Sequence, residues 1–225
     1  MSNLSPDSTF IDKTSIVVAF LITVGLAVLY FVCTGIVANW PDSLFYADRA
    51  RQLLEDGRLA LNAETTLSYP PLYSMLMALS FYIGSFSVGA FFVPSFLLSH
   101  QILVCLQIAL LCSTFFPIRR LLLGCDGIGK NEATVLSVII ALSPTALPYA
   151  NMLSAEALFI PLFVWFTYFY DKFLNANKAS EATRYAMGAG ALLGLLLITK
   201  DIAWAAYVAV LLNTLWVILK KQPVK

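Results

Sequence analysis

The sequence predicts an all-α integral membrane protein with about six transmembrane helices and further interfacial, juxtamembrane helices on one face. Three observations carry that prediction. The 225-residue chain is 60% hydrophobic and only 12% charged, about half the charge of an ordinary soluble domain. Its apolar residues come in long blocks, and a helix needs ~20 such residues to cross hydrocarbon. Its one long polar segment, Asn39–Tyr73, lies between two of these blocks. That segment holds five of the thirteen acidic and three of the fourteen basic residues.

Six segments qualify as spans: Ser15–Val37, Ala90–Ile118, Glu132–Tyr149, Ala155–Phe173, Tyr185–Thr199 and Ile202–Leu219. The first is longer than the ~7–15 residues of a cleaved signal's apolar region, so it reads as an anchor that stays. A seventh candidate, Pro71–Gly84, is apolar but short, which suits an interfacial or re-entrant helix. Charge placement favours six. Cytoplasmic loops carry the Lys and Arg excess. With the N-terminus inside, Lys13, Arg119, Arg120, Lys130, Lys172, Lys178, Arg184, Lys220, Lys221 and Lys225 all fall inside. Counting Pro71–Gly84 as a span would move Arg119 to Arg184 to the outside. Residues 1–14 are then a cytoplasmic N-tail and 15–219 a membrane module with an exoplasmic loop at 38–89. Residues 220–225 form a basic cytoplasmic tail.

This topology places three features on the exoplasmic face: the Asn39–Tyr73 loop, the Tyr149–Glu156 turn and the Thr199-Lys200-Asp201 turn. Within the loop, Leu44, Phe45, Ala47, Ala50, Leu53 and Leu54 share one broad face. Asp48, Arg49, Arg51, Gln52, Glu55 and Asp56 mostly share the other. Residues 43–56 therefore read as an amphipathic interfacial helix, with Gly57 as its stop. Tyr69-Pro70-Pro71 breaks the chain before a second helix. Trp40, Tyr46, Tyr69 and Tyr73 suit the headgroup zone.

Asp42 has two roles open to it: cap of that helix, or general base at the membrane surface. Glu156 starts a span, where the helix dipole favours a carboxylate. It also suits a cleft shared with Asp42. Lys200 and Asp201 are either a neutralised, snorkelling pair or a cation poised for an anionic group. Arg49, Arg51 and Arg58 face the same choice between water and an anion. His100, the only histidine, reads as a helix–helix hydrogen bonder. Gly188, Gly190 and Gly194 read as close-packing positions. Cys33, Cys105, Cys112 and Cys125 form no CxxC pair, so they read as apolar packers without a disulfide or zinc role. The net charge of +1 leaves no polycationic face for nucleic acid.

The ordered pattern Asp42-Ser43-Leu44-Phe45-Tyr46-Ala47-Asp48-Arg49-Ala50, Leu53-Leu54-Glu55-Asp56-Gly57 and Tyr69-Pro70-Pro71-Leu72-Tyr73 resembles the GT-C superfamily. These are membrane glycosyltransferases that use sugars linked to polyprenyl phosphate. They include protein O-mannosyltransferases, the aminoarabinose transferases of lipid A and Rgt-type transferases. Leu142-Ser143-Pro144 and Leu153-Ser154-Ala155-Glu156 are similar to the family's second exoplasmic loop. Gly194-Leu195-Leu196-Leu197-Ile198-Thr199-Lys200 is similar to a segment that ends in Thr-Arg or Thr-Lys in many members.

The resemblance implies an inverting transferase at the exoplasmic face of a bacterial inner membrane, acting on a lipid, glycan or protein acceptor of the cell envelope. Asp42 would be its base, and Glu156 would shape the site. Lys200 would balance the leaving phosphate, with Tyr46, Arg49, Tyr69 and Tyr73 as further substrate contacts. The lipid-linked sugar is a co-substrate. No other cofactor is called for and no metal is invoked, although some relatives use a divalent ion. Three features depart from the family pattern. Ser43 stands where many relatives have a second acid, and Asp201 lies beside Lys200. Family enzymes also usually carry more spans, so the chain compares with their N-terminal module. Two other readings are a non-catalytic or truncated half-module that needs a second membrane subunit, and a small transporter.

Overall fold

The computed structural model describes the backbone of residues 6–36, 42–57, 70–88 and 94–221. Side chains are described for residues 13–36, 42–57, 70–84 and 98–216. Every regular element among these residues is a helix: α1 (Pro6–Thr34), α2 (Asp42–Asp56), α3 (Pro71–Val88), α4 (Pro94–Ser113), α5 (Phe115–Leu122), α6 (Lys130–Ala141), α7 (Leu147–Asn151), α8 (Glu156–Leu174), α9 (Ala179–Leu197) and α10 (Ala203–Lys221).

Three helical stretches are long and apolar enough to cross a membrane: Lys13–Thr34, Leu98–Leu122 and Glu156–Leu174. They coincide with three of the six expected spans. Leu72–Gly84 and Ala203–Trp216 are apolar but shorter. The stretch expected as a span over Glu132–Tyr149 is interrupted. α6 ends at Ala141, and the chain restarts as the short α7. Pro144 and Pro148 explain the break, since neither can donate a helical bond and each disfavours helix at the residue before it. α9 is a full 19 residues, but it opens with Glu181 and Arg184, which lowers its apolarity.

Local chemistry sets the helix ends. α1 and α2 each end on a glycine with positive φ, Gly35 at 69° and Gly57 at 65°. The Gly35 N–H returns to the Phe31 carbonyl at 2.7 Å and that of Gly57 to Leu53 at 3.1 Å. This is the left-handed stop that a residue without Cβ makes at no steric cost. α4 and α5 form one path with a break at Thr114, three residues before Pro117. The proline has no N–H to give the Ser113 carbonyl, and its ring crowds that carbonyl. The Ser113 hydroxyl bonds the Leu110 carbonyl at 2.6 Å and accepts the Trp165 indole N–H at 2.9 Å, joining α4 to α8.

The main core gathers Ala27, Tyr46, Ala50, Tyr73, Met77, Val104, Leu111, Ala150 and Leu158, from α1, α2, α3, α4, α7 and α8. A smaller cluster of Phe166, Ala189, Leu196 and Ala203 joins α8, α9 and the start of α10. Large apolar side chains on α1 and α10 face outward, among them Leu21, Val32, Leu212 and Trp216. On α1, one of the three helices long and apolar enough to cross a membrane, such an outward apolar face suits contact with lipid.

Candidate functional site

Four hydrogen bonds between distant parts of the chain define a site at the C-terminal end of α1. The Asn151 amide donates to the Thr34 hydroxyl at 2.7 Å, joining α7 to α1. The Ser43 hydroxyl donates to the Leu153 carbonyl at 2.9 Å, joining the start of α2 to the segment before α8. The Leu72 N–H donates to the Ile198 carbonyl at 3.0 Å, docking the start of α3 on the α9–α10 turn. The Lys200 Nζ donates to Glu156 Oε1 in an ion pair that ties that turn to the first residue of α8. The three exoplasmic features expected from the sequence therefore meet in one place.

Asp42 is the first residue of α2, in its first turn. It lies close enough to Lys200 to act on it through charge, as does Asp201. Burial pulls the Lys200 ammonium below its usual value, and the two carboxylates push the other way. Low surroundings disfavour a charge and nearby opposite charges favour it. Glu156 and Lys200 both reach the surface, with side chains 23% and 38% exposed.

The other expected contacts sit deeper. Tyr73 is fully buried. Its hydroxyl accepts the Gln107 amide at 2.8 Å and is reached by the Ser154 backbone. Its ring meets that of Tyr46 edge-on at 4.9 Å between centroids. Tyr46 is buried too, so both rings face the protein interior. Arg49, expected on the polar face of α2, is 4% exposed. Its guanidinium lies 4.8 Å over the Phe45 ring, an arrangement in which the ring quadrupole offsets lost hydration. Burial nevertheless lowers its pKa from the usual value. Tyr69 lies outside the described residues. His100 is buried, with its ring 5.4 Å from that of Phe81, between α4 and α3.

Sequence reasoning did not single out Ser43, Asn151, Gln107 and Ser154 as functional positions. Gln107 and Asn151 did carry a signal. A buried amide in an otherwise apolar run needs partners and marks a helix crossing. Gln107 Oε1, Asn151 Oδ1, Ser154 Oγ and Ser74 Oγ are buried without a hydrogen-bond partner among the described residues. Cys112 is buried, whereas Cys33, Cys105 and Cys125 are exposed, and all four are free. No group of three His, Cys, Asp or Glu side chains among the described residues is arranged to hold a metal ion.

Among the described residues the Lys200 ammonium lies against the Glu156 carboxylate and within the field of Asp42 and Asp201, partly open, on a scaffold fixed by hydrogen bonds between distant segments. The arrangement can hold or accept a proton at a carboxylate and present a cation to an anionic group. The chain matches no protein-family model, no curated protein and no solved structure.

Proposed function

We propose that the chain is a GT-C-type membrane module that moves a sugar from a polyprenyl-phosphate donor to a hydroxyl acceptor at the exoplasmic face. What supports this reading most is the convergence of Asp42, Glu156 and Lys200, which lie on three separate segments, at one end of a membrane-spanning helix. In this reading the chain crosses the membrane six times. The α6–α7 segment, α9 and α10 complete the spans, and both termini are cytoplasmic.

Asp42 takes the proton of the acceptor hydroxyl as that oxygen attacks the anomeric carbon. The C–O bond to the lipid phosphate breaks on the opposite face, so the configuration inverts. Lys200 meets the charge that develops on the leaving phosphate, as preorganised cations do at such sites. Glu156 shapes the same pocket. General-base assistance of this kind contributes typically ~10²–10⁴-fold, so Asp42→Asn should reduce transfer by at least ~10²-fold. The test is transfer of radiolabelled sugar from a lipid-linked donor by the reconstituted chain, with membrane insertion and melting temperature unchanged in the variant. Full activity in Asp42→Asn would remove Asp42 as the base.

A further inference from the structure

We propose that the bundle binds a buried water between Tyr73 Oη, Gln107 Oε1 and Ser154 Oγ, and that this water pins the segment leading into Glu156. The site stands independently of the sugar-transfer reading.

Tyr73, Gln107 and Ser154 come from α3, α4 and the stretch before α8, and all three are fully buried. They meet at one atom. The Tyr73 hydroxyl oxygen accepts the Gln107 amide at 2.8 Å, and the Ser154 backbone N–H donates to the same oxygen. Both acceptor positions of that oxygen are then used, so its own proton needs a further acceptor. Gln107 Oε1 and Ser154 Oγ, carried by the same two partners, have no hydrogen-bond partner among the described residues. A donor, an acceptor and a hydroxyl able to act as either are thus left around a single atom. A water that accepts from Tyr73, donates to Gln107 and shares a bond with Ser154 completes all three. Buried waters make about three such bonds, to groups that otherwise lack them. With the Gln107 amide turned over, Tyr73 donates to Oε1 and the amide N–H groups are left without an acceptor, so a water is still needed.

A metal cation does not fit. N–H donors already point at the Tyr73 oxygen, and Gln107 Oε1 and Ser154 Oγ fall well short of the roughly six oxygens a hard cation takes. Asn151 Oδ1 and Ser74 Oγ are buried without a partner among the described residues as well. No hydrogen bond brings either to Tyr73, so they stay outside the site.

Position gives the water its role. Ser154 lies two residues before Glu156, in a stretch that belongs to neither α7 nor α8. The backbone of that stretch is tied at the Leu153 carbonyl, which accepts the Ser43 hydroxyl, and at the Ser154 N–H. The water adds the side-chain tie, joining the stretch to α3 and α4 together.

The first test is a crystal structure of the full chain grown from a lipidic mesophase, with ordered waters visible. A peak about 2.7–3.2 Å from all three atoms is expected. Absence of a peak, with the Ser154 hydroxyl turned directly onto Gln107 or Tyr73, overturns the proposal. So does a peak at about 2.0–2.6 Å, which is a metal distance. The second test needs no crystal. Ser154→Ala takes a bond from the water and should lower the melting temperature by about 2–4 °C. It should also speed amide exchange at position 154 by about three- to tenfold after correction for intrinsic rates. Deleting a hydroxyl that had no partner would relieve a desolvation cost instead. An unchanged or raised melting temperature, or unchanged exchange, therefore overturns the proposal. In a Tyr73→Phe background, where the water has lost its donor, Ser154→Ala should lower melting by less than about half as much. Fully additive losses would mean separate contacts and no shared water. If the double variant does not fold, the sign of the Ser154→Ala effect decides. None of these measurements involves sugar transfer, so their failure leaves the reading of Asp42, Glu156 and Lys200 standing.

Discussion

The two ends of this helical bundle are held by different forces. At the site end, four hydrogen bonds tie α1, α2, α3 and α8 through the turns between them. A fifth sets Tyr73 of α3 against Gln107 of α4. At the other end, α8, α9 and α10 meet through rings and small residues. Phe169 of α8 lies 6.1 Å from the Tyr185 ring of α9 between centroids. Phe169 packs so close to α9 that a Cβ at Gly188 would lie 2.7 Å from it. A shallow apolar groove between these helices is lined by Phe166, Tyr170, Ala189, Gly190 and Val210. Polar contacts there converge on one group: the Tyr170 hydroxyl lies 3.2 Å from that of Thr214 and accepts the Asn213 amide at 3.1 Å, joining α8 to α10.

The contrast has a physical origin. Along its length a helix satisfies its own backbone, so neighbouring apolar helices need only fit. Where helices end, turns expose carbonyls and N–H groups that need partners, and side chains from other segments supply them. Hydrogen bonds fix positions more narrowly than apolar contact does. The end that brings charged groups from three segments together is accordingly the end where hydrogen bonds tie the most segments to one another.

Substitutions can separate the two regimes, and the largest effect is expected at the apolar end. Gly188→Leu would overpack the α8–α9 contact and cost about 1–3 kcal/mol, measured by thermal unfolding in detergent. Phe169→Ala should recover much of that loss in the double variant. Gly190→Ala, two residues on and with open space around it, should be neutral or stabilise by up to about 1 kcal/mol through helix propensity. If the Gly188 and Gly190 variants behaved alike, close packing would not distinguish this end.

At the site end the asymmetry of a buried hydrogen bond is the lever. Tyr73→Phe leaves the Gln107 amide without its acceptor and should cost about 1–3 kcal/mol. Gln107→Met removes donor and unpaired oxygen together, so it should cost less, about 0–1.5 kcal/mol. The reverse order would show that Gln107 contributes through a contact other than Tyr73. Ser43→Ala should have the smallest effect on stability, about 0.5–1.5 kcal/mol. Because it loosens α2 from the Glu156 segment, its effect on sugar transfer should exceed its effect on melting. Equal losses in both would make Ser43 purely structural.

Much of this was legible in the sequence, for reasons tied to particular residues. The runs behind α1, α4–α5 and α8 were visible because a bilayer demands length and apolarity together. Gly57 announced the end of α2, and Tyr69-Pro70-Pro71 announced the start of α3. Arg49 was misread because a helical wheel assigns a charge to water: it can place Phe45 beside Arg49, four residues apart, but cannot show that neighbouring elements bury that face. The interruption after Ala141 was signalled by Pro144 and Pro148, but apolar content outweighed them. Tyr73 read as an interfacial ring because its position in a polar loop says nothing about the Gln107 amide waiting on α4.

By itself, then, the sequence determined the helical character, the bilayer as solvent and three segments rich in charged and turn-forming residues. Those follow from composition and local steric preference, which act over a few residues. The tertiary structure alone decided that Asp42, Glu156 and Lys200 share one place, that Arg49 and Tyr73 turn inward, and that Lys200 already holds a carboxylate. Each depends on contacts between residues far apart in the chain. Only packing and the pairing of buried polar groups select among the arrangements that local rules allow.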